Sequence, residues 1–303
     1  MLRWRRRVGL AFALACLAAA GLAQIAFALA TGDTLSEPRF AVTPETPAAH
    51  YRNARDVAEP FAYWVPAFGS APGDGVARPT AVVIPGGGYY VLAYEKEGLE
   101  IARRVAAAGM HAAVLMPRLP TGQPAGTPYP RTVALDGGRA ALAWLRRDAA
   151  ALGVDTAALS VVGFSAGGHL AMLLSTLGDA AERPAAAVLV YPVVSLAADY
   201  AHAGSRDAFL GPDAERATRE RYSGVHRVDA ATPPTYLVHA ADDAGVPVRH
   251  SLDYAAALDS VGVPFALEVL PQGGHGFGLW GAGDGGAWLE GVVGWLQRPG
   301  APR

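Results

Sequence analysis

Short β-branched runs alternate with longer stretches rich in alanine and leucine along most of this chain, and that alternation restricts the possible folds more than any other feature. Apolar runs at 81–84, 111–116 and 159–163 are each followed by a helix-forming stretch, at 95–108, 132–151 and 166–177. Further strands are expected at 186–190, 236–239 and 265–270, and further helices at 249–261 and 286–297. The pattern predicts an α/β fold, a mostly parallel central sheet with helices on both faces. Parallel neighbours need a crossover connection, and the helix that makes the crossover covers the sheet. With 303 residues, 51% hydrophobic and 17% charged, the chain can bury one full core and is too apolar for disorder. Its 36 glycines and 23 prolines lie scattered between the apolar runs, as turn punctuation does, and no internal repeat is present.

Residues 1–30 follow a different rule. Arg3, Arg5, Arg6 and Arg7 precede an apolar stretch over 8–23, and Ala28-Leu29-Ala30 forms a small-x-small cleavage pattern. Together these predict a signal peptide and a periplasmic or secreted protein. The alternative is an uncleaved anchor, since 8–30 is long enough to span a bilayer; a membrane is an expected partner only in that case. Cleavage after Ala30 removes four of the 25 basic residues and no acidic one, leaving 21 against 27, a formal charge of −6. Such a surface does not attract nucleic acid. Cleavage also removes Cys16, the only cysteine, so neither a disulfide nor a thiol nucleophile is expected. Residues 31–53 mix proline with polar residues and read as an extended leader, which puts the domain at 54–299.

Gly163-Phe164-Ser165-Ala166-Gly167 fits G-x-S-x-G and stands directly between an apolar strand and a helix-forming run. In that context the glycines permit a sharp strand-to-helix turn that lifts a serine out of the carboxyl edge of a sheet. A serine hydroxyl is a weak nucleophile at neutral pH. It needs a base to take its proton and a carboxylate to hold that base in the right tautomer. Asp242 and Asp243 follow the strand expected at 236–239, and His275 follows the last strand in a glycine-rich loop, Gly273-Gly274-His275-Gly276-Phe277. His169 reads as a structural residue and His239 lies inside a strand pattern. His50, His111, His202, His226 and His250 have no motif around them. A third requirement is a set of donors for the oxyanion formed when the serine attacks a carbonyl. Pro85-Gly86-Gly87-Gly88-Tyr89 follows a strand, and the N–H groups of Gly87, Gly88 and Ala166 are the candidates. The loop lacks the Gly-Lys-Ser/Thr ending of a phosphate loop, and no H-E-x-x-H metal spacing is present, so neither a phosphate loop nor a metal centre is expected.

These blocks, with Glu95-Lys96-Glu97-Gly98, Thr232-Pro233-Pro234-Thr235 and the run from His239 to Pro247, resemble the bacterial α/β-hydrolase esterases grouped with acetyl-xylan and feruloyl esterases. These are distant relatives of the prolyl oligopeptidase-like hydrolases. The resemblance runs from about Asn53 to the last helix. It implies the α/β-hydrolase fold and a serine carboxylesterase that removes short acyl groups such as acetyl from carbohydrate or small-alcohol esters without a cofactor. It also favours Asp243 over Asp242, because the spacing of His239, Asp243 and Val246 fits the acid turn of related hydrolases. Pro85 departs from the histidine that lipase-like relatives carry before their three glycines. A peptidase of the prolyl oligopeptidase type and a non-catalytic binding protein are the other function classes. The first is disfavoured by the short stretch before Ala54 and the second by the intact Ser165, Asp243 and His275. Tyr89, Tyr90 and Phe277 are expected to contact substrate. The long connection at 195–231 is expected to form a lid or binding wall, and Lys96 with its flanking glutamates reads as a solvated helix start.

Overall fold

The computed structural model describes residues 61–71, 74–123, 126–279, 281 and 286–298. The expected signal peptide, the leader, His50 and the start of the expected domain lie outside the described residues. Seven strands form one sheet: β1 (Phe61–Val65), β2 (Arg78–Ile84), β3 (His111–Met116), β4 (Val154–Phe164), β5 (Ala186–Val190), β6 (Thr235–Ala240) and β7 (Phe265–Leu270). Their spatial order is β1-β3-β2-β4-β5-β6-β7, with β1 antiparallel to β3 and every other pair parallel. The helices are α1 (Glu100–Ala107), α2 (Val133–Arg147), α3 (Ala149–Leu152), α4 (Ala166–Thr176), α5 (Ala203–Leu210), α6 (Arg216–Arg221), α7 (Arg249–Ser260) and α8 (Ala287–Leu296). This is the α/β-hydrolase architecture.

Period-two alternation divides the core between the two faces of the sheet. Val82, Ile84, Ala113, Leu115, Leu189 and Leu237 face a layer built with α2, α4 and α7. Ala81, Val83, Ala112, Val114, Val188 and Val238 face the opposite layer, built with α1 and α8. Strands buried on both sides read as continuous apolar runs, which is why they stand out in the sequence. Each fully buried valine or leucine contributes about 1.5–3 kcal/mol. Every residue of α4 is buried. Its two hydroxyl residues are satisfied within the helix, Ser175 donating to the Ala171 carbonyl and Thr176 to that of Met172.

β1 and the 95–108 segment differ from expectation. β1 is an additional strand, a short antiparallel edge. The single helix expected over 95–108 is a π-helical turn, Tyr94–Leu99, followed by α1. The 195–231 connection contains α5 and α6, and Phe209 and Tyr222 anchor it in the core beside α4. Since β2 has β3 on one side and β4 on the other, the chain reverses its winding direction between β2 and β4. Loops at such a reversal diverge and open a crevice at the carboxyl ends of the strands. The Gly86–Gly88 loop follows β2 and Ser165 follows β4, so both lie at that crevice.

Candidate active site

Ser165 occupies the turn between β4 and α4 with φ 52° and ψ −118°, a backbone state unusual for a residue with a side chain. Close packing explains the glycines around it. A Cβ on Gly163 would stand 2.4 Å from the Gly167 carbonyl oxygen, and one on Gly167 would stand 2.2 Å from that of Ile84. The turn is tied to the neighbouring strand: Ser165 N–H donates to the Val190 carbonyl at 3.0 Å, and the Ser165 carbonyl accepts from Val193 N–H at 3.1 Å. Only 7% of the residue is exposed.

From Ser165 a hydrogen-bonded chain runs across the sheet edge. Ser165 Oγ is 2.8 Å from His275 Nε2, and His275 Nδ1 is 2.8 Å from Asp243 Oδ2. Nδ1–H donates to the carboxylate, which leaves the Nε2 lone pair facing the serine hydroxyl. Asp243 is buried, and its Oδ1 accepts the N–H groups of Gly245 and Val246 at 2.9 and 2.8 Å. His239 Nε2 donates to the Val246 carbonyl at 2.8 Å and stands 3.3 Å from Asp243 Oδ2. Burial alone would raise the Asp243 pKa, but the close approach of His239 and the hydrogen bonds from His275 and Val246 outweigh it and hold the carboxyl well below the usual range. Asp242 is exposed and accepts Gly274 N–H at 2.8 Å, a brace for the histidine loop.

The glycine loop lies against the nucleophile: a Cβ on Gly86 would be 2.9 Å from that of Ser165. Gly87, at φ 130°, passes so near Val91 that a Cβ would meet its carbonyl oxygen at 2.1 Å. Gly86 N–H is taken by Glu97 Oε2 at 2.8 Å. No backbone acceptor among the described residues takes the N–H of Gly87, Gly88 or Ala166. The last of these opens α4, where the helix dipole favours negative charge.

Two expected substrate contacts differ. Tyr89 is 4% exposed; its hydroxyl bonds His169 Nδ1 at 2.7 Å and its ring stacks on Phe209 with centroids 5.4 Å apart. Phe277 is 2% exposed and packs against Tyr191 and Trp288. Both aromatic rings therefore support the loops from within. Tyr90, 48% exposed, keeps a surface-facing side chain beside Gly88. The solvated role read for 95–97 also fails at Glu97, which is buried and accepts from Gly86 and from Tyr191 Oη, the latter at 3.0 Å. Burial pushes its carboxyl up, against the pull of those two donors. Tyr191 is thus a site residue that no motif contained, while Glu97 and His239 stood in recognised blocks without a site role of their own.

His169 supports the site from below, bonded to the Tyr89 hydroxyl and, through Nε2, to the Tyr222 carbonyl at 2.8 Å. Burial pushes its pKa down from 6.5 to about 4, and burial does the same to His250. An imidazole neutral in the folded state and protonated in the unfolded one stabilises the fold above pH 6.5; that contribution is lost as pH falls toward 4. The loss is about 3 kcal/mol for His169 alone. Urea midpoints should fall markedly between pH 7 and pH 4.5. Equal midpoints would contradict the neutral, buried assignment.

Residues 140–299, slightly more than half of the chain, match the prolyl oligopeptidase family. The chain belongs to this family. The chain is also 30% identical over 233 residues to an acetylxylan esterase from Xylanibacter ruminicola, an alignment covering 73% of this chain. The chain spans only 46% of that relative's length. Among solved structures it is similar to an acetyl ester-xyloside bifunctional hydrolase from Caldicellulosiruptor lactoaceticus, at 34% identity and a TM-score of 0.67, covering 78% of this chain and 88% of that one. A carboxylesterase from Lactobacillus plantarum is similar at 27% identity and a TM-score of 0.64, covering 79% and 92%.

Proposed function

We propose that this protein is a serine carboxylesterase that removes short acyl groups, acetyl foremost, from carbohydrate or small-alcohol esters through an acyl-enzyme. The observation that carries the proposal is the unbroken chain from Ser165 Oγ through His275 to Asp243, both links at 2.8 Å. In this reading His275 Nε2 takes the serine proton as Oγ attacks the ester carbonyl, and the resulting imidazolium is stabilised by the anionic Asp243. The N–H groups of Gly87, Gly88 and Ala166 receive the oxyanion. His275 then returns the proton to the departing alcohol, and water repeats the sequence to release the acid. Tyr90, exposed beside Gly88, and the 195–231 segment form the wall that meets the alcohol. The similar acetylxylan esterase and acetyl ester-xyloside hydrolase support a carbohydrate ester over a peptide.

The proposal includes export, motivated by the basic-then-apolar pattern of residues 1–30. The full chain, expressed in a bacterial host and recovered from the periplasm, is to be weighed by mass spectrometry and assayed on p-nitrophenyl acetate, butyrate and octanoate and on acetylated xylan oligomers. The expected result is a mass lacking residues 1–30, kcat/KM falling with acyl length, and acetate released from the oligomers. An intact mass would refute cleavage; a preference for octanoate would refute the short-acyl reading; and faster turnover of a peptide anilide than of any ester would refute the esterase.

A further inference from the structure

We propose that Glu97 is a positioning residue for ester cleavage, its buried carboxylate locking the oxyanion loop to the loop that carries His275. The inference rests on the esterase reading above. Glu97 is 5% exposed, on the inner side of the Tyr94–Leu99 turn. π-Helical turns recur at functional sites because they push one residue out of the helical register.

One carboxylate oxygen serves each loop. Oε2 accepts Gly86 N–H at 2.8 Å, while the Gly86 carbonyl accepts Ala93 N–H at 3.0 Å. Gly86 is thereby held at both of its peptide groups by one short stretch of chain, and the orientation of the next two peptide planes, which carry the N–H groups of Gly87 and Gly88, follows from it. A Cβ on Gly86 would lie 2.8 Å from Glu97 Oε2 and 2.9 Å from the Ser165 Cβ, so the loop is sandwiched between the carboxylate and the nucleophile.

Oε1 accepts the Tyr191 hydroxyl at 3.0 Å, and that hydroxyl accepts Gly278 N–H at 3.3 Å. The Tyr191 ring meets the His275 ring edge-on, centroids 5.2 Å apart. On the outer side of the same turn, Lys96 Nζ donates to the Gly276 carbonyl. The Glu97 carboxylate thus joins the segments after β2, β5 and β7, which between them carry the oxyanion donors and the base. A glutamine of the same shape has one acceptor and one donor in place of two acceptors, so it can hold only one of the two loops as found.

The test compares the full chain with Glu97→Gln and Tyr191→Phe. The measurements are kcat and KM on p-nitrophenyl acetate, thermal midpoint, and inhibition by an alkylboronic acid, which adds to the serine hydroxyl as a tetrahedral anion. For Glu97→Gln the expected result is kcat lowered ~10–100-fold with KM changed by no more than about threefold, and boronate inhibition weakened in parallel with kcat. A residue that merely held the fold together would lower the thermal midpoint and leave kcat and boronate affinity per folded molecule unchanged; that outcome overturns the proposal. If Glu97→Gln does not fold, Tyr191→Phe decides: a several-fold fall in kcat with weaker boronate inhibition supports the linkage, and wild-type values of both overturn it. Absence of ester turnover by the wild type overturns the esterase reading and this inference together, whereas wild-type turnover with an unaffected Glu97→Gln overturns this inference alone.

Discussion

Ser165→Ala is expected to lower kcat on p-nitrophenyl acetate by ~10⁴-fold or more while leaving the fold intact. The size of the effect follows from what remains. Without Oγ no covalent intermediate forms, and the oxyanion donors and His275 can only assist direct attack by water. The fold is spared because alanine accommodates the turn's other bonds, which are all backbone: Ser165 N–H to Val190, and the Ser165 carbonyl to Val193 and His169. His275, partly exposed, can exchange the lost hydroxyl for water. The measurement is steady-state kinetics beside a urea melt; a variant retaining more than about a tenth of wild-type kcat would contradict the nucleophile assignment.

Asp243→Asn is expected to cost ~10⁴-fold in kcat, and its neighbour Asp242→Asn about tenfold at most. Asparagine can keep the contacts to Gly245 and Val246 with its carbonyl oxygen, which turns its NH₂ toward His275 Nδ1. Nδ1 must then accept, the ring proton moves to Nε2, and the lone pair that should face Ser165 is gone. Asp242 is exposed and braces the Gly274 N–H at the surface. Kinetics of the two variants on one ester separate the cases, and equal losses, or a larger loss at Asp242, would reverse the assignment of the acid.

The central strands were legible because burial on both faces leaves uninterrupted apolar runs, and the expected bounds 111–116 and 186–190 coincide with β3 and β5. The bounds 265–270 also coincide with β7, an edge strand that is only partly buried. β1 escaped notice because Phe-Ala-Tyr-Trp-Val is a five-residue edge strand with no helix after it to complete the alternation. The glycines at 163 and 167 carried the turn because nothing larger fits there. Tyr89 and Phe277 show the limit of the motifs: an aromatic beside a catalytic-type sequence reads as a substrate contact, yet stacking on Phe209 and edge-on packing against Tyr191 decide where each side chain goes. Glu97 is the sharper case. Glu-Lys-Glu-Gly has the look of a charged helix start, and only the π-helical register, which turns the second glutamate inward to the Gly86 N–H, gives it a different place.

The central claim is that Ser165 becomes covalently linked to the acyl group, and labelling the full chain with a fluorophosphonate tests it most directly. The account predicts one adduct per chain, mapped by peptide mass spectrometry to the segment containing Ser165, formed in step with loss of esterase activity and absent from Ser165→Ala. Label on another residue, or esterase activity that survives complete labelling of Ser165, would contradict it.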